Sequence, residues 1–183
     1  MNKIEIPLSK TKLLLGICGS VLFVLLGLYF LTTMTDQQTR LNPTMVKGVG
    51  IASILFFGAT GIYGIKKMFD KTIGLTIDEN GIFDNTNASS VGLIKWTDIT
   101  AIKTEQVAST KFLLIYTANP DFYLDKVKGF KRKLIEGNNR MYGTPLSITS
   151  NTLKHNFNDL EKIINDRLDE QRERKPTGKT PLF

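Results

Sequence analysis

Two long runs without any charged residue constrain this chain more than any other feature of its sequence. They occupy residues 13–35 and 48–65. The hydrocarbon core of a bilayer is about 30 Å thick, and roughly 20 apolar residues in α-helical form cross it. The sequence therefore predicts two transmembrane helices, at about residues 13–35 and 44–65, joined by a short connector.

Each run has an alternative interpretation that involves no anchor. Lys10 and Lys12 resemble the basic start of a signal peptide, but the run after them is longer than the usual signal-peptide core, and no small-residue cleavage site follows. The second run is rich in glycine and also fits a buried helix of a soluble protein. Asn42 and Pro43 precede it as an N-cap and a first-turn proline do. We favour two uncleaved spans that form an antiparallel hairpin within residues 1–71.

Small residues recur along both runs at helical spacing. Helices in a membrane associate by close packing, and small side chains let their backbones approach each other. We predict that these residues form the contact between the spans, although similar spacing also arises by chance in glycine-rich segments. The predicted packing residues are Gly16, Ser20 and Gly27 in the first run, and Gly50, Ser53, Gly61 and Gly64 in the second.

The lysines beside the two runs predict the orientation of the hairpin. Three lysines precede the first run and three follow the second, whereas the connector holds only Arg40, with Lys47 at the edge of the second run. Basic residues near membrane spans concentrate on the cytoplasmic side. Both termini are therefore predicted to be cytoplasmic. The lysines in question are Lys3, Lys10, Lys12, Lys66, Lys67 and Lys71.

Charge and cysteine content exclude several classes of function. The formal net charge of +7 lies mostly beside the spans, because residues 72–183 carry 16 basic and 14 acidic side chains. That near balance, without a row of aromatic side chains, argues against nucleic-acid binding. Cys18 is the only cysteine, so neither an intramolecular disulfide nor a paired-cysteine metal site can form.

No motif for catalysis or cofactor binding appears. The only histidine, His155, has no second His or Cys nearby with which to hold zinc. Residues 177–180, "TGKT", resemble part of a phosphate-binding loop, but Glu173 stands where that loop requires glycine. The sequence therefore predicts no catalytic, cofactor-binding or metal-binding residue, and no enzymatic activity.

Beyond residue 71, short alternating segments replace the long apolar runs. Residues 73–77 alternate in polarity and lead into the turn sequence "ENG", which predicts a β-hairpin. Residues 111–118 are apolar on both faces, as in a central strand, and residues 145–149 are a further strand candidate. These patterns predict a domain of residues 72–170 with an antiparallel sheet, followed by a charged tail of residues 171–183.

Two amphipathic helices are predicted within this domain. Asn119 and Pro120 start the first, which ends by Gly143. The second begins near Asn158, with Glu161 placed to complete a capping box. The predicted apolar stripes are Tyr123, Val127, Phe130 and Leu134 in the first helix, and Leu160, Ile163, Ile164 and Leu168 in the second.

Several segments together resemble a known architecture. Residues 75–85, "LTIDENGIFDN", and residues 92–102, "GLIKWTDITAI", are similar to the strands of bacterial pleckstrin-homology-like (PH-like) domains. With "IEIPLSKTKLLL", "IASILFFG" and "MYGTPLSI", the chain resembles a family of small bacterial membrane proteins that have two N-terminal spans and a PH-like cytoplasmic domain. The resemblance implies a bacterial inner membrane as the location. It brings no activity and no functional residues.

The predicted fold is therefore of the α+β class. A two-helix transmembrane hairpin precedes a PH-like antiparallel β-barrel or sheet, with an inserted amphipathic helix and a C-terminal capping helix.

The inserted helix is basic, and an anionic leaflet attracts basic side chains that lie near it. A solvated helix face is the alternative. The candidate lipid contacts are Lys66, Lys67, Lys71, Lys126, Lys128, Lys131, Arg132 and Lys133.

These features predict a membrane-anchored, non-enzymatic binding or scaffold module that presents a PH-like domain to a protein partner at the cytoplasmic face. An anionic-lipid sensor that uses residues 126–133 is one alternative. The first hairpin turn is acidic, which argues against recognition of phosphoinositides.

A stress or defence protein, such as an immunity-type protein that binds a membrane-active toxin, is another alternative. A channel is disfavoured because neither span has an internal charged row. Formation of homo-oligomers stays open.

Overall fold

The structure, a computed structural model, describes residues 2–34 and 42–174. Its contacts divide the chain into two compact units. Ser9–Lys71 form one, here called the helical unit, and Met1–Leu8 together with Thr72–Phe183 form the other, here called the sheet unit. The first eight residues, which the sequence places with the hairpin, thus belong to the sheet unit.

Two long helices make up most of the described part of the helical unit. Helix α1 spans Lys10–Tyr29 and continues through a π-helical turn, Phe30–Met34, and helix α2 spans Pro43–Met68. The Asn42 side chain accepts a hydrogen bond from the Thr44 N–H, with proline at the next position, so the predicted N-cap is confirmed. Both helices begin before the predicted spans, and α2 also ends beyond its span.

The outer faces of α1 and α2 are apolar and exposed. Both helices are long and apolar enough to cross a membrane. Large apolar side chains such as Leu15, Leu55 and Phe56 point away from the helix contact and are more than half exposed. A core helix of a soluble protein buries such side chains, which argues against that alternative for the second run. The two helices are therefore candidate membrane spans.

Small residues lie where the two helices approach most closely. A Cβ added to Gly27 would stand 2.9 Å from the carbonyl oxygen of Gly50, and one added to Gly50 would stand 2.9 Å from that of Gly27. Ser53 donates a hydrogen bond of 2.9 Å across the contact to the carbonyl oxygen of Phe23. A larger side chain at either glycine would push the backbones apart.

Other predicted packing residues differ in their surroundings. A Cβ on Gly61 would lie 3.3 Å from the Cβ of Ser20, and one on Gly64 would lie 3.0 Å from Ile17 Cγ1. The Ser20 hydroxyl donates to the carbonyl oxygen of Gly16 at 2.9 Å. A Cβ on Gly16 itself would meet no atom within 4 Å, so this glycine lies outside the closest approach.

Among the described residues of the sheet unit, seven strands form two antiparallel sheets. The first sheet has the order β1-β2-β3-β4 and the second the order β5-β6-β7. The first sheet consists of β1 (Ile4–Ile6), β2 (Leu75–Ile77), β3 (Gly81–Asp84) and β4 (Gly92–Lys95). The second consists of β5 (Ile99–Val107), β6 (Thr110–Thr117) and β7 (Leu146–Ile148).

Strand β1 was not predicted, and it precedes the first membrane-span candidate. It pairs with β2, so that Ile4 stands opposite Ile77 and Ile6 opposite Leu75. The apolar alternation of Ile4 and Ile6 is the signal that could have revealed it. Three residues are too few to identify a strand beside so strong a helical pattern.

Of the predicted barrel or sheet, the described strands form the sheet alternative, as two open sheets, and they do not close into a barrel. After β4 the chain turns through a 3₁₀ segment, Trp96–Asp98, and the pairing of β5 with β6 is irregular between Ile99 and Ala101. This corner redirects the chain, so that β5 pairs with β6 and with no strand of the first sheet. The α+β class and the antiparallel sheets are confirmed.

The predicted inserted helix is two helices. Helix α3 spans Pro120–Asp125 and α4 spans Gly129–Tyr142, with Gly129 at a φ of +63° between them. Because of this break, a different side of the second helix faces the core from the one that a continuous helix would present. Tyr123 and Val127 are buried as predicted, but Phe130 is 75% exposed, and Ile135 is buried in the core instead.

The last helix, α5, spans Phe157–Arg174 and covers the sheets with a buried stripe of Leu160, Ile164 and Leu168. Its cap also differs from the predicted one. Asn156 accepts a hydrogen bond from the Asp159 N–H at 2.9 Å and donates its own side-chain N–H to the Asp159 carboxylate at 2.7 Å. The predicted charged tail is helical as far as residue 174, and residues 175–183 lie outside the described residues.

We predict that Gly27→Ala weakens the pairing of α1 and α2. The new methyl group would overlap the Gly50 carbonyl, and such overpacking costs roughly 1–3 kcal/mol. The full chain is heated in mild detergent, and the fraction that still elutes as a monodisperse peak is measured. The temperature at which half of this fraction is lost should fall. Gly19→Ala is the matched control, because its Cβ meets no atom within 4 Å. Equal midpoints for the two variants would contradict this contact.

Candidate functional site

A groove of about 480 Å³ lies in the sheet unit where the chain passes from β4 to β5. We call it the corner groove. It is bounded by the turn between β2 and β3, by the β4–β5 corner and by the last turns of α5. Its volume is within the range of small-ligand pockets, about 300–1,000 Å³. The residues that line it include Glu79, Leu93, Lys95, Trp96, Ile99, Leu168 and Arg172.

Hydrogen bonds between two turns build the floor of this groove. The Trp96 ring N–H donates to the carbonyl oxygen of Asp78 at 2.7 Å, and the Trp96 backbone N–H donates to that of Asn80 at 3.3 Å. The Asp78 carboxylate in turn accepts from the Asn80 N–H at 2.8 Å, as aspartate does in tight turns. The predicted hairpin turn and the Trp-x-Asp-Ile segment thus hold each other in place.

A buried tyrosine supports the corner from behind. The Tyr123 hydroxyl donates to the Asp98 carboxylate at 2.7 Å and accepts from the Lys95 backbone N–H at 3.4 Å. Tyr123 has no exposed surface. Burial, and then the hydrogen bond to Asp98, raise the pKa of Tyr123 well above its ordinary value. The phenol therefore stays protonated and keeps α3 attached to the β4–β5 corner.

Charge and apolar surface lie side by side in the groove. The Arg172 guanidinium donates to the carbonyl oxygen of Thr100 at 3.1 Å, which fixes this cation at one rim. Lys95 is an exposed cation on the β4 side, and Leu168 contributes apolar surface from α5. The lining holds two cations, Lys95 and Arg172, against one anion, Glu79, and this balance suits a ligand that carries a carboxylate beside an apolar group.

The groove leads to an edge strand. Strand β5 pairs with β6 alone among the described strands, and its residues 103–107 are exposed. Helix α5 runs beside it, since the Thr104 hydroxyl donates to Glu161 and the Thr100 carbonyl accepts from Arg172. An edge strand presents backbone N–H and C=O groups with which another extended chain can pair. Glu161, predicted to cap α5, instead ties α5 to this strand.

Three of the eight candidate lipid contacts are engaged within the protein. Lys67 is 7% exposed and lies 2.9 Å from Asp70. The Lys126 ammonium donates to a backbone carbonyl and lies over the Phe122 ring, 4.4 Å from its centroid. Its pKa is lowered by burial first and by the charge of Lys95 second. Both side chains thus have partners within the protein.

Arg132 is the third engaged residue. It lies 2.9 Å from Asp125 and 2.7 Å from Glu136, and these two carboxylates raise its pKa. The other five candidates have no ion pair with a described residue. Lys131 is half-buried, and the remaining four are exposed: Lys66, Lys71, Lys128 and Lys133.

The groove residues were not predicted as a site. Neither Trp96 nor Asp98 was predicted to be a site residue, and Arg172 fell within the predicted tail. No short motif joins these residues, because they come from β4, the corner and α5. No group of three His, Cys, Asp or Glu side chains among the described residues is placed to hold a metal ion.

Comparison with protein-family models, with curated proteins and with solved structures finds no match to this chain. The resemblance to a PH-like membrane-protein family therefore stays a prediction. Any function must be argued from the geometry of the corner groove, the β5 edge and the exposed surface of the sheet unit.

We predict that the Tyr123–Asp98 hydrogen bond makes the sheet unit lose stability at high pH. Because the folded pKa of Tyr123 is raised, its contribution is complete below the ordinary tyrosine value of about 10 and is lost as pH rises above it. Tyr123→Phe should lower the free energy of unfolding by about 1 kcal/mol near pH 8. The difference from the unaltered protein should shrink above about pH 10.

Urea unfolding read by the fluorescence of Trp96, the only tryptophan, measures this difference. Tyr142→Phe is the matched control, since the Tyr142 hydroxyl has no hydrogen bond in the described part of the chain and its loss should leave the pH dependence unchanged. A difference between Tyr123→Phe and the unaltered protein that stays constant from pH 8 to pH 11 would count against the hydrogen bond.

Proposed function

We propose that this chain is a membrane-anchored, non-enzymatic binding module that presents a PH-like domain to a protein partner at the cytoplasmic face of a bacterial inner membrane. The corner groove, together with the β5 edge to which it leads, is the observation that carries the proposal. The two apolar helices support the anchoring, and the lysines beside them support the cytoplasmic orientation.

The groove suggests the chemistry of the partner. An extended segment pairs its backbone with the β5 edge, as in other cases of strand addition. An apolar side chain of that segment packs against Leu168 and Ile99, and an adjacent carboxylate binds Lys95 and Arg172. The preferred partner segment is therefore extended, with an apolar residue beside an Asp, a Glu or a C-terminal carboxylate.

The rigidity of the corner also supports a binding role. The hydrogen bonds of Trp96 and Tyr123 connect the hairpin turn, the corner and α3. A surface held in one conformation binds without first losing conformational freedom, so less of the interaction energy is spent on ordering it. If Trp96 and Tyr123 served only to fill the core, they would not need these hydrogen-bond partners.

We predict that the sheet unit and both termini lie on the cytoplasmic side. In a Cys18→Ser background, a cysteine at position 151 should resist a membrane-impermeant maleimide in intact spheroplasts, whereas a cysteine at position 38, in the connector, should react. Both should react after the membrane is permeabilised. Labelling at position 151 in sealed spheroplasts would contradict the proposed location.

We predict that the corner groove contacts a protein partner in cells. A photo-crosslinking amino acid at Thr97, an exposed groove residue, should give a discrete higher-mass product. Charged hydrogen bonds contribute about 1.5–3 kcal/mol each, so Lys95→Glu or Arg172→Glu should reduce this product roughly tenfold or more.

Lys154→Glu is the matched charge reversal, because Lys154 is exposed and is not part of the groove. It should leave the product unchanged. The mass spectrum of the product identifies the partner, and its contact peptide should contain an acidic residue beside an apolar one. A product that survives both groove substitutions would contradict the groove as the binding site.

A further inference from the structure

One side of α4 carries apolar side chains that the core does not use. Phe130 is 75% exposed and Met141 is 71% exposed. They are eleven residues apart, which is close to three turns of an α-helix, so both project from the same side. Gly137 lies between them, and a Cβ there would meet no atom within 4 Å. We call this side the α4 outer face.

Cationic side chains surround the same face. Lys128, Lys133 and Arg140 are exposed, and none forms an ion pair with any residue that the structure describes. The one acidic residue of α4, Glu136, lies 2.7 Å from the Arg132 guanidinium, which balances its charge. The α4 outer face therefore has unbalanced positive charge beside exposed apolar surface.

The opposite side of α4 is attached to the sheet unit. Ile135 is fully buried in a cluster with Leu124 and Val127. The Asn138 side chain donates to the Ser147 hydroxyl at 3.2 Å. Because these contacts hold the inner side, Phe130 and Met141 cannot turn towards the core unless Ile135 leaves its buried position. Their exposure follows from how α4 packs.

We propose that the α4 outer face binds the headgroup region of an anionic membrane. Phe130 and Met141 enter the boundary of the acyl chains, as apolar side chains of interfacial helices do. Lys128, Lys133 and Arg140 attract the anionic headgroups. Charge complementarity favours this occupant over a second copy of the chain, since the same face on a second copy is also cationic.

Short segments connect the sheet unit to the two membrane-span candidates. Strands β1 and β2 are joined to the two membrane-span candidates by residues 7–9 and 69–74. The sheet unit is therefore tethered at a high effective concentration to the bilayer that holds α1 and α2, and a weak attraction is enough for contact. The inference depends on that anchoring and does not depend on a protein partner in the corner groove.

The experiment uses the full chain with Cys18→Ser and Gly137→Cys, which keeps Phe130 and Met141 in place. The new thiol carries a polarity-sensitive fluorophore, and each lipid nanodisc holds one copy. One set of discs is phosphatidylcholine and the other is an equimolar mixture with phosphatidylglycerol. We expect a blue shift, and quenching by brominated acyl chains, in the mixed discs. Both should weaken at high salt, because the Debye length falls from about 10 Å at 0.1 M to about 3 Å at 1 M.

Substitutions test whether the named side chains cause the effect. Lys133→Gln and Arg140→Gln should each lower the ratio of bound to free domain about fivefold, and Phe130→Ser should remove the quenching. Lys154→Gln with Lys162→Gln removes two exposed charges elsewhere and should change nothing. Trp96 fluorescence during urea unfolding confirms that each variant is folded. The salt dependence measured with the α4 outer face unaltered tests the proposal without these variants.

Two results would overturn the proposal. The first is an identical spectrum in both sets of discs. The second is a blue shift that appears only when discs hold two copies, which would mean that a second copy covers the face. Cross-linking at Thr97 is read separately, so a failure of lipid binding is distinguishable from a failure of partner binding.

Discussion

The ladder between β1 and β2 is the interaction on which the rest of the structure depends. Residues before the first membrane-span candidate pair with residues after the second, with Ile6 opposite Leu75. Paired strands lie about 5 Å apart, so both ends of the helical unit are held together. Two helices that cross a membrane return the chain to the side from which it entered, so this pairing is compatible with the proposed orientation. The lysine distribution supports the proposed cytoplasmic location by an independent physical argument.

The sheet unit carries two candidate binding surfaces, the corner groove and the α4 outer face. The first sheet leads through β4 to the corner, where Trp96 and Tyr123 hold the groove and the start of β5. The α4 outer face belongs to a separate helix, which is attached through Ile135. Ile135 of α4 packs with Leu124 of α3, and Tyr123 of α3 holds the corner, so α3 connects the two surfaces. A tethered domain with both would hold its partner at a defined membrane surface.

Local features were predictable where neighbouring residues decide them. Asn42 with Pro43 caps α2, the Asp78–Gly81 turn joins β2 to β3, and Gly143 ends α4 with a φ of +74°. Each depends on a side chain and a backbone within a few residues, where dihedral preference and hydrogen bonding act directly. The break before Gly129 was not predictable in this way. A continuous stripe with Phe130 is equally regular, and only packing against the core selects Ile135.

The sequence by itself determined two apolar helices and an α+β unit with antiparallel strands. Composition and periodicity decide these features, because burial in lipid or in a core acts on every residue of a run. Only the tertiary structure decided that β1 joins the sheet, that the strands form two open sheets and that Lys95 and Arg172 share a groove. Those outcomes depend on contacts between distant segments, and a linear pattern does not specify which distant segments meet.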